Sequence, residues 1–172
     1  RPAQSPPMSS VRSPKKAPSV PAPTDTAAPA SEPVDTGFLR TLVGYNTRRA
    51  ALSIIAVFME RMAVYDLKVV DFSVLSLVAH NPGITSRQLC ATLSVLPPNM
   101  VGLIAALERR GLIERRPHPS DGRAMGVHLT PAGVELTAQA EQTAAQLEED
   151  ATNRLTAAER KTLIRLLQKV YD

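Results

Sequence analysis

From Phe38 to about Tyr65, apolar side chains return every three or four residues, through Phe38, Leu42, Tyr45, Leu52, Ile55, Ala56, Met59 and Met62. That period predicts a helix with an apolar stripe. Ile54, Val57, Phe58 and Val64 widen the stripe beyond one face, so the helix is expected to bury a second face against another body. A second helix is predicted from about Val69–Asp71, carrying Phe72, Leu75, Val78 and Ala79 and stopped by Asn81-Pro82-Gly83. Thr85 and Gln88 stand at capping-box spacing and predict a short third helix with Leu89 and Leu93 turned inward. Pro97-Pro98 opens a fourth, since proline is tolerated in a first turn. This helix runs through Met100, Leu103, Ile104 and Leu107 to Gly111, a residue that accepts the left-handed conformation ending a helix.

The period then changes. Leu112–Glu114 and Val127–Leu129 read as two short strands around a turn-rich tip with Pro117, Pro119, Ser120, Asp121 and Gly122. Thr130-Pro131 reads as the cap and first residue of a long helix to about residue 154, weakly apolar through Val134, Leu136, Leu147 and Ala151. Thr156 to Glu159 forms a second capping box, and the last helix carries Leu163, Leu166, Leu167 and Val170. The expected fold class is mainly α with a small β-wing: a winged helix-turn-helix between N- and C-terminal helices that dimerise.

Residues 1–36 break the pattern. They hold nine of the fifteen prolines and almost no large apolar residue, so they are expected to be disordered. Arg1, Arg12, Lys15 and Lys16 make this tail slightly basic, which suits either a solvated segment or a weak non-specific DNA arm. Arg1 is no initiator, so the chain reads as trimmed or extended at its start, with Met8 a candidate natural one. The remainder divides into helices for dimerisation at 37–66 and 131–172 and a lobe at 67–130. Aromatics are only 3% of the 172 residues, so the core must be aliphatic.

The net charge of +4 is too mild to indicate a partner, but its distribution is informative. Arg109, Arg110, Arg115, Arg116 and Arg123 crowd around the hairpin against Glu114 and Asp121 alone. The single Cys90 excludes an intramolecular disulfide and fits a reducing cytoplasm. No apolar run approaches the roughly 20 residues that span a bilayer, and no signal-peptide pattern opens the chain. Cys90, His80, His118 and His128 lack metal-ligand spacing. With no nucleophile–base constellation and no glycine-rich phosphate loop, neither an enzyme nor a cofactor is expected.

The segment Glu108-Arg109-Arg110-Gly111-Leu112-Ile113-Glu114-Arg115, then Asp121-Gly122-Arg123, then Val127-His128-Leu129-Thr130-Pro131-Ala132-Gly133, resembles the MarR family of winged-helix transcriptional regulators over residues 37–172. Leu96-Pro97-Pro98-Asn99-Met100-Val101 is similar to the branch that represses nicotinate degradation and responds to a hydroxylated nicotinic acid. The resemblance implies that the fourth helix enters a DNA major groove. Its exposed start offers Pro98, Asn99, Val101 and Gly102. Asn99 can bond an adenine edge bidentately or simply favour a helix start, while Pro98 and Val101 can touch a thymine methyl. So few donors imply that DNA shape and the wing supply much of the specificity.

Arg123 would reach the minor groove from the wing tip, with Asp121 orienting it by an ion pair; the alternative is a solvated turn charge. Arg87, Arg115 and Arg116 suit phosphates, which position without reading sequence. In family members that sense aromatic acids, an arginine of the first helix commonly meets the carboxylate, sometimes from the other subunit. Arg48 and Arg49 are the candidates here, because guanidinium binds carboxylate bidentately. Ion pairs with Glu60 or Glu148 are the competing reading. Tyr45, Val70 and Phe72 suit the apolar walls of such a site, although core packing also explains Phe72, and Cys90 reads as a packed small hydrophobe. The implied function is a homodimeric cytoplasmic repressor on a palindromic operator of double-stranded DNA, released by a small aromatic carboxylate such as 6-hydroxynicotinate. The alternative is a winged-helix module whose wing contacts protein, which would lack salt-sensitive affinity for duplex DNA.

Overall fold

The apolar stripe that begins at Phe38 does not form one continuous helix. It folds as a single turn, α1 (Gly37–Arg40), followed by α2 (Val43–Met62) and a 3-10 turn at Ala63–Tyr65. The break lies at Thr41 and Leu42. Thr41 Oγ1 donates to the Phe38 carbonyl at 2.7 Å, and Asn46 Nδ2 donates to the carbonyls of Arg40 and Leu42, each at 2.8 Å. Short polar side chains here take backbone acceptors that a continuous helix would use, and Leu42 is extended. The structure, a computed structural model, describes residues 34–118 and 121–171, and of residues 118 and 121–124 the backbone alone. Nearly all of the segment expected to be disordered lies outside the described residues; residues 36–172 form a unit of their own.

The following helices form where their caps and stops predict them: α3 (Val69–His80), α4 (Ser86–Leu93) and α5 (Pro97–Arg109). Thr85 accepts from the Gln88 amide at 3.3 Å, and the Gln88 side chain accepts from the Thr85 amide at 2.9 Å. Both hydrogen bonds of the α4 capping box are therefore made. The strands extend further toward the tip than the pattern suggests, as β2 (Ile113–His118) and β3 (Asp121–Leu129). A third strand, β1 (Ile84–Thr85), was not foreseen. It pairs antiparallel with β3, Ile84 opposite Val127 and Thr85 opposite Gly126, giving the sheet order β1-β3-β2. Two residues carry no periodicity to read. What makes room for β1 is Gly126, where a Cβ would stand 2.8 Å from the Gly83 carbonyl oxygen.

After β3 the long helix α6 (Pro131–Ala151) and the terminal α7 (Ala157–Tyr171) complete the chain. The core is aliphatic, with Met62, Leu75, Leu89, Met100, Ile104, Leu107, Ile113 and Leu147 all essentially inaccessible. Leu93 is half-buried at its margin. Phe58 and Phe72 meet edge to face there, with centroids 5.6 Å apart. α6 packs on α2 and α3 and is tied to both. Arg61 of α2 pairs with Asp150 at 2.8 Å, and Glu141 accepts from Ser76 of α3 at 2.7 Å with His80 at 3.0 Å.

The corner between α5, β2 and α6 is tightly knotted. Gly111 takes φ +68° and turns the chain out of α5. Thr130 Oγ1 donates to the Gly111 carbonyl at 2.6 Å and accepts from the Gly133 amide at 3.1 Å, while the Thr130 amide donates to the Leu112 carbonyl at 3.0 Å. Gly133 is buried against that same carbonyl: a Cβ there would stand 1.9 Å from the Leu112 oxygen. Backbone cannot yield as a flexible side chain does. Gly133→Ala is therefore expected to destabilise the fold by about 3 kcal/mol or more, as overpacking of a rigid contact does. Thermal unfolding that matches wild type would show that the corner can relax.

Candidate nucleic-acid interface

The turn between α4 and α5 sets how α5 is presented. Ser94 closes α4 in the left-handed region at φ 53°, and the Val95 amide returns to the Cys90 carbonyl at 3.1 Å. Leu96 is extended, as a residue before proline prefers, and Pro97 and Pro98 take the first two helical positions. The inner face of α5 is filled by Met100, Ile104 and Leu107, with Leu103 half-buried. Its other face, Pro98, Asn99, Val101 and Gly102, is exposed, which places the four residues singled out for base contact on one surface. That surface is apolar at its start. Leu96 is 69% exposed and Val101 58%, and a Cβ on Gly102 would meet nothing within 4 Å. The two prolines also remove N–H groups that a helix start would otherwise direct at a phosphate. Asn99 is the one side chain among these four that can bond a base edge.

The flanking arginines differ in their availability. Arg87 is exposed in the first turn of α4 and makes no ion pair among the described residues. Arg115 and Arg116 are both engaged. Successive strand residues face opposite sides, so Arg116 shares a face with Glu114 and pairs with it, while Arg115 turns toward α5. There its Nη2 meets Glu108 Oε2 at 2.7 Å, with Nε at 3.3 Å from the same oxygen. This hydrogen bond holds the Glu108 carboxyl below its ordinary range and raises the Arg115 guanidinium. Of the three arginines expected at phosphates, Arg115 and Arg116 thus hold carboxylates in the free protein. The side chains of Asp121 and Arg123, and with them the expected ion pair, lie outside the described residues; their backbone runs at the start of β3.

The expected ligand set is not gathered within the chain. Tyr45, Arg48 and Arg49 sit in the first half of α2, with both arginines exposed. Val70 and Phe72 open α3 and are half-buried, Phe72 against Phe58. Helical rise separates Arg49 from Phe58 by roughly 14 Å along α2. Neither arginine pairs with Glu60 or Glu148; the ion pair between α2 and α6 belongs to Arg61 and Asp150.

Two surface clefts flank the helical layer instead. One, of about 320 Å³, lies between the end of α2 and the start of α6, lined by Tyr65, Asp66, Leu136 and Gln139 among others. The other, of about 460 Å³, is more apolar and lies between Ala50, Ser53 and Ile54 of α2 and residues 151–155 and Leu163. Cys90 is half-buried at the edge of the core, and among the described residues no three His, Cys, Asp or Glu side chains could hold a metal ion. In the sequence Arg110 is one cation of the basic run around the hairpin, with no individual role assigned to it. Its guanidinium reaches the carbonyls of Asp66 at 2.8 Å and Tyr65 at 2.9 Å.

With this geometry, the likeness to known proteins can be placed on particular elements. Residues 65–124, from the end of α2 into the hairpin, match the sequence profile of the MarR family. A putative transcriptional regulatory protein for the hcr operon of Thauera aromatica is 37% identical over 100 residues, 58% of this chain and 60% of that protein's own length. The structure is also similar to the transcriptional repressor CouR bound to a 23-mer DNA duplex, at 34% identity and a TM-score of 0.76, covering 81% of this chain and 99% of CouR. Bordetella bronchiseptica BpsR, solved in a study of how 6-hydroxynicotinic acid regulates its DNA binding, is similar at 27% identity and a TM-score of 0.70, covering 76% of this chain and 94% of BpsR. The helix-turn-helix, the three-stranded sheet that carries the β2–β3 wing and the extent of these matches make this chain a member of the MarR family of transcriptional regulators, and not an enzyme.

Proposed function

We propose that the chain is a homodimeric repressor that binds a palindromic operator through α5 and the β2–β3 wing and is released by a small aromatic carboxylate. The observation that carries the DNA reading is the exposed Pro98–Gly102 face standing beside an arginine-bearing hairpin. The DNA-bound state of CouR supports it. In this reading Asn99 contacts a base, Pro98 and Val101 meet thymine methyls, and Arg123 enters the minor groove. Arg87 binds phosphate directly. Arg115 and Arg116 do so by exchanging Glu108 and Glu114 for the DNA backbone, and Asp121 orients the wing. The protein would act on DNA in the cytoplasm; no single described helix is long and apolar enough to cross a membrane.

Dimerisation is supported by apolar surface left uncovered at both ends of the unit. α7 has 15 residues and fully buries none of them, while Leu163, Ile164, Leu166 and Val170 are exposed. An isolated helix of that length is marginal in water, so it needs a partner surface. Phe38, Val43, Leu52 and Met59 of α1 and α2 are likewise exposed and offer one. The residues 37–66 and 131–172 then form the dimer layer, and 67–130 the DNA-binding lobe. A two-fold axis through that layer would set the two α5 helices at half-sites about 34 Å apart. A second copy would also bring its own Arg48 or Arg49 to the walls formed by Val70, Phe72 and Tyr45, since one subunit holds them apart. The likeness to BpsR supports 6-hydroxynicotinate as the acid to test first.

Three measurements test these readings. Sedimentation at micromolar concentration is expected to show a dimer, and a stable folded monomer would refute the interface. On a duplex selected from a random-sequence library, binding is expected to fall steeply with salt, as counterion release requires. Arg123→Ala is expected to weaken it far more than Lys16→Ala; equal losses would remove Arg123 from the interface, and no salt-sensitive binding would favour a protein-contacting wing. Adding 6-hydroxynicotinate is expected to lower operator affinity about tenfold, a coupling of about 1.4 kcal/mol. Arg48→Ala or Arg49→Ala should blunt that release and leave DNA binding intact. An unchanged titration across a set of aromatic acids would reject the effector site alone.

A further inference from the structure

Arg110 ties the end of α5 to the end of α2 by hydrogen bonds. Arg110 closes α5, its amide bonded to the Ala106 carbonyl at 3.2 Å. Its guanidinium crosses 44 residues of sequence to donate Nη1 to the Asp66 carbonyl at 2.8 Å and Nη2 to the Tyr65 carbonyl at 2.9 Å. These are the carbonyls at the terminus of the α2 helical run, where a helix leaves acceptors unsatisfied and gathers partial negative charge. The Asp66 carboxylate is not the partner that matters. It is 4.0 Å away with its side chain 96% exposed, whereas the carbonyl contacts are short and bidentate. Asp66 itself stands in the left-handed region at φ 51°, a conformation costly for a residue other than glycine and retained only where its surroundings hold it.

The same short segment is held from its other side by α6. The Tyr65 hydroxyl lies 2.9 Å from Thr143 Oγ1 and 3.4 Å from the Gln139 carbonyl. Thr143 Oγ1 donates to the Gln139 carbonyl at 3.1 Å, which leaves Tyr65 as the donor to Thr143. A continuous path of hydrogen bonds therefore runs from α6 through Tyr65 to the carbonyls of residues 65 and 66, and on through Arg110 into the last turn of α5. We infer that Arg110 is a positioning residue for DNA binding, fixing the recognition helix to the α2–α6 layer through Tyr65 without touching DNA itself. The inference rests on the DNA-binding reading of α5. A lysine at 110 would keep the charge but lose the planar fork that engages two carbonyls at once.

The test is a double-mutant cycle with Arg110→Lys and Tyr65→Phe, read by titration of the full chain against a duplex selected from a random-sequence library. Arg110→Lys is expected to weaken binding about tenfold, and Arg110→Gln, which removes the charge, to leave the salt slope unchanged, because no phosphate contact is lost. Tyr65→Phe is expected to weaken binding in the wild-type background and to add little in the Arg110→Lys background, the signature of coupled residues. Full affinity in Arg110→Lys, a salt slope shallower by about 0.9 in Arg110→Gln, or simply additive losses in the cycle would each overturn the proposal, the second by making Arg110 a phosphate contact. Amide exchange in the free protein gives a readout that needs no DNA. Tyr65→Phe is expected to accelerate exchange at Arg110, Gly111 and Leu112, and unchanged exchange there would overturn the linkage even if Arg110 variants fail to fold. If the wild-type chain bound no duplex, the DNA-binding role proposed for Arg110 would fall with that reading, and accelerated exchange would then leave the linkage standing as a structural one.

Discussion

Among the described glycines, Gly133 leaves the least room for a side chain, because its backbone lies against the Leu112 carbonyl, and this contact fixes the corner where α5, the hairpin and α6 meet. At that corner α5 ends, the β2–β3 hairpin begins and the long helix α6 departs. Three backbones converge where a single methyl group would not fit. Thr130 completes the knot by donating to Gly111, accepting from Gly133 and sending its amide to Leu112. Such close backbone contact trades side-chain packing for geometric definition, and the definition is what a DNA reader requires. In the proposed function α5 and the hairpin meet the duplex together, so their relative angle cannot drift.

Arg110 stands one residue from this knot and extends it to the other helical layer. The corner is therefore gripped twice, by backbone and hydroxyl contacts from the start of α6 and by the Arg110 guanidinium fork, which donates to the carbonyls at the end of α2. Between these two grips the aliphatic core around Leu107, Ile113 and Met62 supplies the bulk of the burial but little directionality. Hydrophobic contact is roughly proportional to area and indifferent to angle. The polar contacts at the corner resolve the orientation that burial leaves open.

Electrostatics divides the hairpin into engaged and available charge. Arg115 is held by Glu108 and Arg116 by Glu114, so the free protein presents a wing more neutral than its composition implies. Exposed pairs of this kind contribute little to stability and are readily exchanged for a phosphate partner. Their usefulness is in orientation. Each guanidinium is held on its own side of β2, and Glu108 links the wing back to α5.

Much of this was legible in the chain itself. The caps at Thr85, Thr130 and Thr156, the proline pair opening α5 and the glycine ending it are local chemistry, and local chemistry is written in consecutive residues. So is the division into aliphatic inner faces and a donor-poor outer face on α5. What only the tertiary structure decided is what lies between distant segments. β1 has two residues and exists because Gly126 admits Gly83 beside it. The break after Arg40 arises from Asn46 reaching back six residues, a contact that hydrophobic periodicity does not encode. The candidate ligand residues share a chemical logic, but the rise of α2 sets Arg48 and Arg49 well apart from Phe72 within the chain. Arg110 looked like one more cation in a basic run, and its partners are backbone carbonyls that no residue identity announces. Local hydrogen bonding and side-chain period can be read along a sequence; which carbonyl a guanidinium finds 44 positions away depends on how the helices pack.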